Sequence, residues 1–168
     1  MTQPTSEDEV RALERLAETA VAIVAAVEAE VPRWARRQVD RLLDAWGRAT
    51  PEARARAEAD AIDAGDAAAR RLVAELRMLF DNDPERQRVT PLEIVRSAYR
   101  EPTRVLAAAG VPAVVRDEFD ERAWPDDVYG LVPRTFGDLG DPELAPLHLA
   151  WGMAKATVIR GRRTRSAR

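Results

Sequence analysis

"GRATPE", residues 47–52, decides the fold. Gly47 can close one helix, Thr50 can accept a backbone hydrogen bond at the start of the next, and Pro51 suits a first helical position because no N–H is needed there. Helical patterns run for many residues on either side, so the stretch reads as the turn of an antiparallel αα-hairpin. Upstream, Leu13, Leu16, Ala20, Ile23, Val27, Val31 and Trp34 recur by threes and fours and lay one stripe along a helix face. The stripe continues through Val39, Leu42, Leu43 and Trp46. Ser6 and Glu9 have capping-box spacing, and Glu7, Asp8 and Glu9 put three acids where the helix dipole favours them. Pro32 lies inside this pattern. An interior proline removes one hydrogen bond and crowds the preceding turn at about 3 kcal/mol, which predicts a kink or break near residue 30.

Downstream of the turn, Ala57, Ile62, Ala69, Leu72, Leu76 and Leu79 are expected on the inner face of the returning helix, roughly 51–80. Residues near the turn are small, which lets two helices approach closely. The hairpin, residues 6–81, is coiled-coil-like, and its stripe is long enough to suggest burial against a second copy or a partner.

"FDNDPERQRVTPLE", residues 80–93, marks the boundary to a C-terminal unit spanning 82–160. Thr90-Pro91-Leu92-Glu93 combines a capping box with a proline at the first helical position. The helix it starts, with Leu92, Ile94, Val95 and Tyr99 inward, is expected to end or kink at Pro102, and Val105 and Leu106 continue a short helix that Gly110 closes. Pro112 can open a further helix carrying Val114, Val115 and Phe119, before a stretch rich in Pro, Gly and Asp. Asp141-Pro142-Glu143 then starts a last helix with Leu144, Leu147, Trp151, Ala154 and Val158 on one face, stopped by Gly161. Residues 161–168 read as a disordered basic tail. Period-two alternation is absent from any run longer than four residues, so the fold class is all-α: a long N-terminal hairpin packed on, or extending from, a C-terminal bundle of shorter, proline-punctuated helices.

Composition excludes more chemistry than it suggests. There is no cysteine in the 168 residues, which removes disulfides, thiolate catalysis and sulfur-ligated zinc, and His148 is the single histidine. No phosphate-cradling glycine loop and no nucleophile elbow is present. Asp117 and Glu121, at i and i+4, could hold a hard cation, but four acids in one and a half turns read more plainly as a solvated face. No catalytic residue, metal or cofactor is therefore expected. "TAVAIVAAV", residues 19–27, covers about half of the roughly 20 residues a membrane span needs. "MTQPTSEDEV" lacks the pattern of a secretory leader, so cytoplasmic residence and no membrane partner are the expectation.

Three groups of residues are candidates for contact. "RAWPDDVYGLVP", residues 122–133, sets Trp124 and Tyr129 beside Asp126 and Asp127, either as lids on the core or as anchors of an interaction surface. His148, Trp151 and Lys155 share the last helix and could line a small-ligand pocket with Trp124 and Tyr129. Arg33, Arg36, Arg37 and Arg41 could form one face, which with Arg160, Arg162, Arg163, Arg165 and Arg168 of the tail could contact nucleic-acid phosphates. Setting aside the five arginines after residue 159 leaves 21 basic against 29 acidic side chains, a net of −8 that would repel a polyanion. The plainer expectation pairs these helical arginines with Glu30, Asp40 and Asp44.

The stretches "TPLEIVRSAYREPTRVLAAAGVPAVVRDEF", "PDDVYGLVPRTFGDL" and "AWGMAKA" resemble a group of small actinobacterial proteins of unknown function, over about residues 90–156. That resemblance implies no activity, ligand or residue role. The residues themselves favour a non-enzymatic helical protein acting by protein–protein contact, with self-association through the hairpin. A nucleic-acid-associated regulator and a small-ligand binder or enzyme are the alternatives.

Overall fold

The computed structural model describes residues 7–112 and 144–167, and they contain helices and no strands. Helix α1 spans Glu7–Trp46 and α2 spans Pro51–Asp81. The turn between them forms as its residues dictate: Gly47 takes φ +65°, and the Thr50 hydroxyl accepts from the Ala53 N–H at 3.2 Å with Pro51 in the first turn. Helix α3, Pro91–Arg96, starts with a complete capping box in which Thr90 and Glu93 each bond the other's backbone N–H. A 3-10 turn, Ser97–Tyr99, leads into α4, Arg100–Ala108, which Gly110 closes at φ +74°. The α-helix begun at Pro91 thus gives way to a 3-10 turn just before Pro102, and Pro102 itself sits in the first turn of α4, where its missing N–H costs no hydrogen bond. Helix α5, Leu144–Ser166, runs antiparallel to α1, its C-terminal end lying against Glu9 and its middle against Ala12.

Helix α1 is the hub. Helix α2 packs along it on one flank and α5 on another, α4 touches both α1 and α2, and one hydrophobic cluster runs through all of them. The hairpin thus docks on the C-terminal helices instead of projecting from them. The stripe proposed to seek a second copy is spent inside the chain: Leu16, Ile23, Val27, Val31, Trp34, Val39 and Leu43 of α1 belong to one hydrophobic cluster with Leu72, Val73 and Leu76 of α2.

Four expectations need correction. Of the kink or break expected near residue 30, the break does not occur: helix α1 continues through Pro32 to Trp46. Apolar residues are buried on both sides of the proline, and their burial at about 1.5–3 kcal/mol each outweighs its intrinsic cost of about 3 kcal/mol. Ile62 is not on the inner face but is 38% exposed, and Ala61 and Gly65 take the position facing α1. The reason is room: a Cβ on Gly65 would lie 2.5 Å from the Pro32 Cα and 3.2 Å from the Ala35 Cβ, so the helices cross in contact at this point. Gly161 does not stop α5, which continues to Ser166, so residues 161–166 are helix and not a disordered tail. Fourth, Leu13 and Ala20 are only half-buried, because Ala12 and Glu9 face inward near the start of α1.

Candidate functional site

The strongest side-chain cluster was not anticipated as such. Glu9, in the first turn of α1, is 2% exposed, and its carboxylate faces the last turns of α5. Arg165 donates to both carboxylate oxygens, Nη2 to Oε1 at 2.9 Å and Nη1 to Oε2, and Arg162 Nε lies 3.6 Å from Oε1. Arg162 also donates through Nη1 to Asp83 Oδ2 at 2.7 Å, tying α5 to the loop after α2. Two hydrogen bonds, first the Glu85 backbone N–H and then Arg162, hold the Asp83 carboxyl below its usual range. Gly161 lies beside this clasp, where a Cβ would stand in ordinary contact with the Glu9 carboxylate at 3.4 Å. The only hint in the sequence was Arg162, Arg163 and Arg165 one to two turns beyond the apolar face, which read as a tail because an intervening glycine usually closes a helix.

The clasp should carry stability. Glu9→Gln keeps the shape but removes the charge that both arginines face, and since those arginines are partly exposed and can rehydrate, a loss of about 1–3 kcal/mol is expected. Urea denaturation at low and at high salt checks it: wild type loses part of the difference as salt rises. Identical midpoints for the two proteins would remove the clasp from the list of stabilising contacts.

Two further buried acids follow the same pattern. Glu30 accepts from Arg33 at 2.7 Å with Arg37 at 3.9 Å, and Glu101 accepts from Arg71 of α2 at 3.0 Å and from Arg104 at 3.3 Å. Arg36 reaches Asp40 and Glu58, while Asp44 takes Arg54 from α2 at 2.6 Å. The arginine face of α1 is therefore largely engaged with carboxylates, as its plainer reading expects. Of the five tail arginines proposed for nucleic acid, Arg162 and Arg165 are committed to Glu9 and Asp83, Arg160 and Arg163 lie exposed, and Arg168 lies outside the described residues.

Of the residues proposed to line a pocket, His148, Trp151 and Lys155 are among those described. Trp151 is buried and packs on Phe80 with ring centroids 6.2 Å apart. Lys155 stands over the Trp151 ring at 5.0 Å and donates to the Gln87 carbonyl at 3.0 Å. Gln87, itself buried, donates to the carbonyls of Leu79 and Asn82, closing the end of α2. Lys155 and Trp151 thus pin the 82–90 loop to α5, and burial lowers the Lys155 pKa. His148 turns instead toward α3, where burial first and the charge of Arg96 second lower its pKa, with Glu93 opposing. Trp124, Asp126, Asp127 and Tyr129 lie outside the described residues, as do Asp117 and Glu121. Among the described residues no cluster of three or more metal-ligating side chains occurs, and no helix is long and apolar enough to cross a membrane.

What the outer side of α5 presents is apolar. From Leu144 to Ala154 the helix carries no Asp, Glu, Lys or Arg, and beyond its inward face it exposes Leu149 at 64% and Met153 at 63%, with Ala145, Pro146, Ala150 and Ala156 around them. Beside these two side chains a groove of about 230 Å³ opens between α1 and α5, lined by Ala12, Arg15, Ala150, Met153, Ala154 and Thr157. A knob and a hollow therefore sit side by side on one surface. No protein-family model matches the chain, and neither a curated protein nor a solved structure matches it.

Proposed function

We propose that this protein acts by contact with another polypeptide and not by catalysis, that the outer face of α5 makes the contact, and that a second copy of the chain is its partner. The observation that carries the reading is the pair Leu149 and Met153, each nearly two-thirds exposed on a helical stretch without charge. A helix apolar on all sides is ordinarily covered on all sides, and exposed apolar patches on soluble proteins mark contact surfaces. The occupant follows from shape and charge. A protruding leucine next to an alanine-lined groove on the same face is what a two-fold, self-complementary interface uses, since each copy offers the knob that the other's hollow receives. The face offers no charge pattern from Leu144 to Ala154 by which a charged partner would be steered. The hairpin stripe is not this surface, because its leucines are already covered by the chain itself.

Light scattering on the full chain after size exclusion tests it, with Leu149→Arg as the disrupting variant. Wild type should run as a dimer and the variant as a monomer with an unchanged melting temperature, because an exposed position tolerates the charge. Since the chain has no cysteine, Leu149→Cys adds one thiol, which should form an interchain disulfide on mild oxidation. A monomeric wild type whose introduced thiol labels rapidly removes the second copy as partner. A monomer whose thiol is protected removes the surface altogether.

A further inference from the structure

Near the turn end of the hairpin, α1 and α2 press two carboxyl groups together. Asp40 on α1 and Glu58 on α2 meet through Arg36, whose Nε lies 3.8 Å from Asp40 Oδ2 and whose Nη2 donates to Glu58 Oε2 at 3.4 Å. The other Asp40 oxygen, Oδ1, is fully buried and accepts no hydrogen bond. The side chain packed against Asp40 from α2 is the Glu58 carboxyl, which offers only acceptors when ionised. Arg54, the other cation facing the group from α2, donates to Asp44 at 2.6 Å. Two carboxylates therefore lean on one guanidinium while a buried oxygen lacks a donor. One proton satisfies both deficits, because a protonated carboxyl donates to its neighbour and removes one of the two like charges.

We propose that Asp40 keeps a proton and donates it across the hairpin to Glu58, making its turn end a clasp that tightens as the pH falls and loosens as the proton leaves. The direction of titration agrees with the geometry. Burial first, and the negative charge of Glu58 second, hold the Asp40 carboxyl above its usual range, against the opposing pull of Arg36. A raised acid in the folded state keeps its proton where the unfolded chain has lost it. The stability it contributes is complete below the ordinary carboxylate range and disappears as pH rises through the folded value.

Carboxyl carbon NMR of the full-length protein follows Asp40 directly. It should titrate above free aspartate in wild type. In Glu58→Gln it should fall toward or below the ordinary value, because the amide can donate to Oδ1 without a proton. Asp40→Asn supplies a permanent donor, so at neutral pH it should melt several degrees above wild type, with the gap closing as pH is lowered toward 4. Asp40 titrating at or below the free value in wild type overturns the retained proton, as does a melting gap that stays constant with pH. Should Asp40→Asn fail to fold, the wild-type and Glu58→Gln titrations decide the matter alone.

Discussion

Gly65→Ala is expected to destabilise the protein by about 2–3 kcal/mol, although the same change normally strengthens a helix by roughly 0.5–1 kcal/mol. The added methyl would sit 2.5 Å from the Cα of Pro32. A backbone atom cannot swing aside, so α1 and α2 must separate along a contact that also holds Ala35, Ala61 and Ala68, and the cost spreads through the core. Gly152 is the control. It also lies within a helix, but a Cβ there meets nothing within 4 Å, so Gly152→Ala should raise stability by about 0.5–1 kcal/mol. Urea denaturation of the two variants measures both, and opposite signs are the expected outcome. A neutral or stabilising Gly65→Ala would mean that the helices do not touch at Pro32.

The second large effect is at Trp34, the bulkiest of the fully buried side chains. It lies on the α1 stripe two residues after Pro32, beside Val31, Ala35 and Val39 of its own helix in the hydrophobic cluster that joins the helices. Trp34→Ala should cost about 3–5 kcal/mol, since it removes a large transfer free energy and leaves a cavity that rigid neighbours cannot fill. Trp46, half-buried at the end of α1, gives the comparison: its truncation should cost about 1–2 kcal/mol. Denaturant midpoints at constant slope separate the two. Equal losses would contradict the placement of Trp34 at the centre of the core.

Local chemistry explains why much of this fold could be read from residue order. Gly47, Thr50 and Pro51 set backbone geometry and capping within a few residues, and the Thr90–Glu93 box does the same, so neither depends on what packs nearby. The period of the α1 stripe likewise names its buried face without reference to a partner. Spacing failed where burial depended on distance between elements. Ile62 has the period of an inner residue, yet the crossing at Gly65 leaves no room for a large side chain, and α2 turns its small residues inward. Gly161 is a sound helix stop by itself, but Arg162 and Arg165 find Glu9 across the molecule and hold two more turns in helix. The candidate surface was missed for a related reason. Nothing in residue order sets Leu149 and Met153 apart from the other apolar residues of the last helix, and only the side on which α1 lies makes them outward-facing.

The sequence by itself determined the all-α class, the hairpin turn and the helix starts at Thr50 and Thr90, because capping, proline placement and hydrophobic period act over one to three turns. It also determined the absence of thiol chemistry, since no cysteine occurs. Only the tertiary structure decided that Pro32 stays inside a continuous helix, that Glu9 closes on the last turns of α5, that Asp40 meets Glu58, and that an uncharged face of α5 points outward. Each of these depends on which surfaces come within a few ångströms of each other. Contact and desolvation energies fall off over that distance, and residue order alone does not specify it.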